Sequence, residues 1–559
     1  MKCDVAIIGG GPAGTTVGCL LRKYMPHLKV MILEREEFPR EHVGESLLPP
    51  CTRILEEVGV WSKIEEQGFP VKLGATLRWG TNPEFFDFSF IPGEQYENAA
   101  RPAPFKGQRA KTAFHVDRSV FDTILLDHAL DTGCRVFENC RVIEVKTEGD
   151  RVTELKVESD EIQDGKVVAR HYVDASGVSG ILRRAFDVPV ESPSALRNIA
   201  IYDYWQGADW AKRDGVDGTH IQIMSLGWGW LWFITIGENR TSVGLVTPAE
   251  YFKKSGLTRE EIYSKAVKEE KHISKLLENA KPENLLHSDR DWSYISERLA
   301  GENWLLAGDS SGFADPILSA GITLAMVGSR KVAYTILELE RRELDSGWIK
   351  SEYERTQKQN ISNHIRFADY WYSANGQFTE LQEYCSEIAR GAGLNLDANE
   401  AFRWLGSGGF SDDTWDPHPA AGTYRISAVK RALTRFSGTS ADWQIAKFNC
   451  LKLNLEGATA EILASYKKGQ IKQVPAYRRG EFTLRHDGIN KFVLAALKEH
   501  SDVRRIIPHI ANGAKPFLIA SEKELFLHIL EVLEALLSEG WIVGSVVESY
   551  GFISVPESA

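Results

Sequence analysis

Val5-Ala6-Ile7-Ile8-Gly9-Gly10-Gly11-Pro12-Ala13-Gly14 decides the fold of this chain: four apolar residues run straight into glycines spaced G-x-G-x-x-G. Such a run reads as a buried strand, a tight turn and the start of a helix. Gly9 permits the turn, Gly11 lets the backbone approach a pyrophosphate, and Gly14 lets the helix pack on the strand, with Ala13 beside it in the first helical turn. The helix N-terminus favours the phosphate charge. A second apolar run, Leu28 to Leu33, ends at Glu34, 20 residues past Gly14, the spacing at which a carboxylate reaches a ribose hydroxyl. Arg35 follows it as a further cofactor-binding candidate. These residues imply an α/β chain with a Rossmann-like, dinucleotide-binding domain; an ordinary glycine turn has no need of the distal acid.

Two later segments narrow the dinucleotide. Tyr172-Val173-Asp174-Ala175-Ser176-Gly177 resembles the D-A-S/T-G turn of the glutathione-reductase-like flavoprotein superfamily, which includes para-hydroxybenzoate hydroxylase. Asn303-Trp304-Leu305-Leu306-Ala307-Gly308-Asp309 resembles that superfamily's apolar strand ending in Gly-Asp. The resemblance implies FAD as cofactor, with Asp174, Gly308 and Asp309 beside it and Asp309 bonded to its ribityl chain. Arg118, in His115-Val116-Asp117-Arg118, takes a cofactor-side position on the same ground. The plainer alternative for Asp309 is a helix N-cap.

Within the superfamily the chain resembles the flavin-dependent halogenases from residue 1 to about 375. Gly229-Trp230-Leu231-Trp232-Phe233-Ile234-Thr235 is similar to their W-x-W-x-I-P signature, with Thr235 in place of the proline. Lys72, in Val71-Lys72-Leu73-Gly74, stands where that family carries its reactive lysine. Asp315-Pro316-Ile317-Leu318-Ser319-Ala320-Gly321-Ile322 resembles the family loop that holds chloride at the flavin, and Val43-Gly44-Glu45-Ser46 its mobile flavin-side segment. The resemblance implies that Ser319, Ala320 and Gly321 hold the halide through backbone amides, an environment that a carboxylate would spoil. Gly321 and Ile322 also reach the flavin. Trp230 and Trp232 would separate flavin from substrate, so that hypohalous acid travels to Lys72. There the amine donates a hydrogen bond or forms a haloamine, according to how far burial lowers its pKa.

One departure bears on the substrate. The free-tryptophan branch carries a glutamate before Ser-Thr-Gly in the halide loop, and this chain has Leu318 there. The chain therefore looks more like the branch acting on phenols, pyrroles or carrier-tethered acyl groups, with chloride or bromide as co-substrate. No second G-x-G-x-x-G follows residue 14, so a separate NAD(P)H-dependent flavin reductase is expected to supply reduced FAD. Rival readings on the same frame are a flavin monooxygenase, an unsaturated-lipid reductase, and a catalytically silent flavoprotein that binds a carrier.

Composition agrees with a compact enzyme. Apolar residues make up 43% of the 559, with 15 tryptophans, which excludes a disordered chain. The seven cysteines are scattered and include no C-x-x-C pair, which argues against zinc or a disulfide framework. No run is long enough to span a bilayer and the apolar start lacks a cleavage site, so a cytoplasmic protein is expected.

The expected organisation is an FAD-dependent core over 1–375. Its Rossmann-like parts lie at about 1–70, 110–190 and 295–340, and its inserted antiparallel substrate-side sheet at about 71–110 and 195–294. Strands are expected over 199–205, 221–224, 230–236 and 241–246, with helices from Gly321 to about Leu339 and over Ser351–Tyr372. A mainly helical region, 376–559, would shape substrate access. Its string Ala401–Phe410 either lines a pocket or simply packs. Residues 421–480 hold 11 Lys and Arg against three acids in a chain of net charge −11, a pattern that suits an acidic carrier protein or a solvated basic face. Leucines at helical spacing over Lys523–Ser538, followed by Gly540 and a strand, are compatible with a winged-helix-like end. The acidic overall balance disfavours nucleic acid.

Overall fold

The computed structural model describes residues 1–91, 96–210, 218–291, 293–391, 443–480, 482–514 and 522–555. Two compact units divide the chain, Met1–Leu394 and Asn395–Ala559.

A five-stranded parallel sheet carries the dinucleotide pattern, in the order Trp304–Leu306, His171–Asp174, Val5–Ile8, Val30–Leu33, Arg135–Phe137. Val5–Ile8 lies at its centre and is wholly buried, as an apolar run flanked on both sides must be. Helix Pro12–Tyr24 follows directly, with Pro12 at its first position, where a missing N–H costs nothing. The three glycines act as their spacing implies. Gly9 has φ +108°, and a Cβ there would stand 2.3 Å from the Ala175 carbonyl oxygen; one on Gly14 would stand 2.0 Å from that of Gly9.

The second large sheet has nine strands. Asn198–Gln206, Arg240–Pro248, Trp230–Thr235 and Thr219–Ser225 form an antiparallel run, close to the four strands expected. Val71–Arg78 then adds itself to Thr219–Ser225 in parallel, the one departure from a purely antiparallel sheet along this path. It reaches that edge from far upstream in the chain, so no hairpin constrains its direction.

One face of this sheet packs on helices Arg259–Glu269 and Lys271–Leu276 through Ile201, Met224, Leu231, Phe233, Val243 and Leu245. Alternation puts Tyr202, Ile221, Ile223, Trp230, Trp232 and Gly244 on the opposite face. Helices Gly321–Arg341 and Ser346–Ser373 appear where helices were expected, each slightly longer. The first unit continues past 375 because helix Gln382–Gly391 packs back on it: Tyr384 bonds Asn198 at 3.0 Å.

In the second unit the described residues hold strands as well as helices. Cys450–Leu453 pairs with Ile542–Ser545, and Thr459–Lys467, Gln470–Arg479 and Phe482–Arg485 form a meander. Helices Asn490–Glu499, Val503–Ala514 and Glu522–Ser538 pack around Val493, Ile506, Ile529, Leu530 and Leu533. The Ala401–Phe410 string lies outside the described residues.

Candidate active site

The glycine turn fits a dinucleotide. Gly11 is the N-cap of helix Pro12–Tyr24 and supplies no side chain, so the first-turn amides face outward without a protein cap. A Cβ on Gly11 would come within 3.2 Å of the Arg40 guanidinium, a cation over the turn. Gly308, at φ +65°, sits against Ala13, where a Cβ would be 2.9 Å from the alanine methyl. Thus Ala13 and Gly308-Asp309 close the cradle from two sides. Asp309 is half-buried; burial pushes its carboxyl up to about 6 against the pull of Arg118.

Two expected cofactor carboxylates are engaged by the protein itself. Glu34 accepts the Gly10 amide at 2.6 Å and the Glu36 amide at 3.0 Å, which holds it at the glycine turn. Asp174 accepts the Ser176 amide at 3.1 Å and the Leu182 amide at 2.7 Å, so its carboxylate organises the following turn. Arg35 is exposed and pairs with Glu36.

Arg118 is buried between Asp122, which it grips through two nitrogens at 2.7 and 2.8 Å, and the segment Val43–Ser46. Its Nη1 donates to the Val43 carbonyl at 2.6 Å, and Val116 donates to the Glu45 carbonyl at 2.8 Å. A Cβ on Gly44 would lie 3.2 Å from Arg118 and 3.9 Å from Ile322. The segment therefore passes between the nucleotide frame and the expected halide loop. Burial pushes the Glu45 carboxyl up to about 7, opposed by Ser242 and Tyr204.

In that loop Pro316–Leu318 forms a short 3-10 turn and Ser319 takes a left-handed φ of +56°. Ser319 donates its amide to the Pro316 carbonyl at 2.9 Å, which turns the chain so that Ala320 and Gly321 open helix Gly321–Arg341. That helix has no side-chain cap, so its positive end suits an anion. The Asp315 carboxylate is turned away, accepting the Ile317 amide at 2.8 Å.

The two tryptophans lie on the face opposite the packing helices. Trp230 Nε1 donates to Tyr372 Oη at 2.8 Å, and Tyr372 reaches Asp315 at 3.5 Å, which links this strand to the halide loop. Trp232 Nε1 donates to Ser242 at 3.0 Å, and its ring covers Gly244. Thr235, at the proline position of the signature, is buried, and its hydroxyl has no hydrogen-bond partner among the described residues.

Lys72 reaches the tryptophan face through an irregularity. Lys72 pairs with Thr219 but Gly74 pairs with His220, so Leu73 is one residue too many. In a regular strand Lys72 would share a side with Gly74 and Thr76, whose partners His220 and Gln222 point toward the packing helices. The extra residue moves it to the side of Thr219, Ile221 and Ile223, which is that of Trp230 and Trp232. Lys72 is 2% exposed and makes no hydrogen bond or ion pair with any described residue; its Nζ stands 5.7 Å from the centre of the Phe90 ring. Burial lowers its pKa to about 7, with Cys51 opposing slightly.

Three neighbours carried no sequence signal. His115 is fully buried, its ring near the Thr235 backbone without a well-formed hydrogen bond; burial, Lys72 and His220 hold it neutral. Cys51 is fully buried, with Sγ 3.0 Å from Thr323 Oγ1 in the first turn of the halide-loop helix. Tyr372 joins this group from helix Ser346–Ser373. Single residues of common type become legible only when the fold brings them together.

Comparison with known proteins matches this geometry. Residues 2–368 match the FAD binding domain family. A 1H-pyrrole-2-carbonyl-[peptidyl-carrier protein] chlorinase from Pseudomonas fluorescens is 33% identical over 387 residues, 67% of this chain and 85% of that protein. A tryptophan 2-halogenase from Chondromyces crocatus is 31% identical over 377 residues, covering 67% of this chain and 68% of its own. Among solved structures, the flavin-dependent halogenase CmlS aligns with a TM-score of 0.72 over 99% of this chain and 98% of its own, at 24% identity. The myxobacterial chondrochloren halogenase CndH aligns with a TM-score of 0.61, at 25% identity, over 78% of this chain and 97% of its own. With its glycine cradle, uncapped halide-loop helix and tryptophan strand, the chain belongs to the flavin-dependent halogenases, FAD-dependent oxidoreductases that use halide as co-substrate.

Proposed function

We propose that this enzyme passes hypohalous acid through Lys72 to an electron-rich or activated substrate, a pyrrole, a phenol or a carrier-tethered acyl group. The observation that carries the reading is Lys72 itself: buried, without a hydrogen bond or ion pair among the described residues, and shifted by a strand irregularity onto the face of Trp230 and Trp232. FAD, when bound and reduced, supplies with oxygen the two-electron oxidation of halide. Gly9, Gly11, Gly14 and Gly308 would seat it, with Asp309 and Arg118 beside it. The amides of Ala320 and Gly321 would hold the halide. Trp230 and Trp232 exclude the substrate from the flavin side, so that halogenation proceeds at a distance. Lys72, with a pKa near 7, is present at neutral pH both as an amine able to take the halogen and as an ammonium able to polarise it. Substrate carbon gains the halogen and loses a proton, and water leaves.

A carrier-bound substrate is supported by the likeness to the pyrrole-carrier chlorinase and by the basic stretch 421–480, which holds 11 Lys and Arg against three acids. There Lys467, Lys468 and Lys472 crowd one hairpin end; burial and then the two neighbouring charges lower the Lys467 pKa, and an acidic partner would relieve the crowding. Reduced FAD would come from a separate NAD(P)H-dependent reductase. All seven cysteines are free thiols, which suits the reducing cytoplasm. No helix among the described residues is long and apolar enough to cross a membrane.

The test is mass spectrometry of products from free and carrier-bound pyrroles, phenols and acyl groups, incubated with FAD, a flavin reductase, NADH, oxygen and chloride or bromide. The expected result is a halide-dependent mass gain with the halogen isotope pattern. Gain of oxygen in its place would assign the enzyme to hydroxylation.

A further inference from the structure

On the proposed reading hypohalous acid passes from the expected halide loop to Lys72, and the Cys51 thiol neighbours both the helix after that loop and the lysine. Cys51 Sγ lies 3.0 Å from Thr323 Oγ1, in the first turn of that helix. The neighbouring Thr52 hydroxyl reaches the Thr112 carbonyl at 3.3 Å, and Ala113 is the strand partner of Lys72, so the start of helix Pro49–Val58 sits over the lysine's end of its strand. Lys72 Nζ makes no hydrogen bond or ion pair with any described residue, is nearly sealed from solvent, and is close enough to Cys51 for each to act on the other's protonation, so a species delivered to the amine arrives beside the thiol. Thiols react with hypohalous acid far faster than amines or electron-rich rings do. A thiol here survives because it is wholly buried and protonated: burial pushes it up to about 11, and a neutral thiol is the weaker nucleophile.

We propose that Cys51 is the self-oxidation site of this enzyme, consumed when hypohalous acid forms and no organic substrate takes the halogen. The thiol sulfur attacks the halogen of the acid; the sulfur–halogen bond forms, the halogen–oxygen bond breaks, and hydroxide takes the thiol proton to leave as water. Water then displaces halide from sulfur, giving sulfenic acid and one proton. In sum, sulfur loses two electrons and the halogen gains two. A second equivalent carries the sulfur on to sulfinic acid, which is irreversible. Cys19 and Cys134, equally buried but beside each other under helix Pro12–Tyr24, are internal controls.

This inference rests on the proposed halogenase reading, and the experiment separates the two. The holoenzyme is turned over with FAD, reductase, NADH, oxygen and chloride but no organic substrate, and a parallel sample receives monochlorodimedone, which reports free hypochlorous acid. The expected result is chlorination of the reporter and, without it, gain of one or two oxygen atoms on the Cys51 peptide while Cys19 and Cys134 stay reduced. Omitting chloride should prevent the gain, and Cys51→Ser should lose activity several-fold more slowly during such turnover. Reporter chlorination with unmodified Cys51, or with all cysteines oxidised alike, overturns the inference alone. No reporter chlorination together with no halogenated product from the pyrrole, phenol and acyl panel overturns the Lys72 reading and this inference with it.

Discussion

Arg118 and Lys72 are both buried cations of the same compact unit, at 5% and 2% exposure, yet acceptors surround the first and none among the described residues meets the second. Around the nucleotide cradle, Glu34 and Asp174 spend their hydrogen bonds on backbone amides and Arg118 spends its own on Asp122 and the Val43 carbonyl, so that half is held by the protein itself. On the tryptophan face Lys72 has only the Phe90 ring beside it, with no hydrogen bond or ion pair among the described residues, and at the end of the tryptophan strand the Thr235 hydroxyl likewise has no hydrogen-bond partner among them. An unpaired buried polar group costs about 1–3 kcal/mol, so the contrast marks where stability yields to chemistry. The frame is built to hold; the face is built to receive.

The sharpest way to break this contrast is Lys72→Ala. Halogenated product should fall by about a hundredfold or more, the range for losing a positioned proton donor or acceptor, while FAD binding and oxygen-driven flavin oxidation persist. Product formed at the parent rate would remove Lys72 from the reaction.

Lys72→Met tests the stability side. Below its folded value, near pH 7, the buried lysine carries its full desolvation penalty, because folded and unfolded chains are both protonated. From there to about 10.5 the unfolded chain binds more protons, so the parent gains stability as pH rises. The methionine variant should therefore melt higher at neutral pH, by a few kcal/mol, with the difference shrinking toward pH 10. A difference that does not change with pH would mean that the amine is solvated.

Gly244→Ala sharpens the comparison at the tryptophan wall. The added Cβ would stand 2.2 Å from the Trp232 ring, so the ring must shift, at about 1–3 kcal/mol read by chemical denaturation. An unchanged midpoint would show that the wall is soft. Trp230→Phe is the mildest change: it removes the bond to Tyr372 and should cost about 1 kcal/mol. A larger loss would make the Trp230–Tyr372–Asp315 link a structural tie.

The frame was legible because its signals are local. Val5–Gly14 needs only its own spacing, and the strands around Trp230 announce themselves by β-branched and aromatic content. Legibility fell wherever placement depended on distant chain. Glu34 stands at the right spacing for a ribose, but that spacing could not reveal the Gly10 amide it accepts. Residues 459–479 were read for charge, although their alternation folds as a hairpin with Pro475 in the second strand. Cys51 looked like one scattered cysteine among seven until helix Pro49–Val58 met Thr323.

The extra residue at Leu73 has a consequence for inheritance. Because side chains alternate, each added or lost residue inverts the side on which all earlier positions of the strand present themselves. The irregularity at Leu73 absorbs one such inversion for Lys72. A descendant that kept every named residue of the site but paired Leu73 regularly with Thr219 would turn the lysine toward the side of His220 and away from the tryptophans, whereas one that lost Leu73 would leave Lys72 opposite Thr219 on the tryptophan side. A slip of register, rather than a deletion or a substitution, is thus the change that silences the enzyme, and residue-by-residue conservation would pass over it.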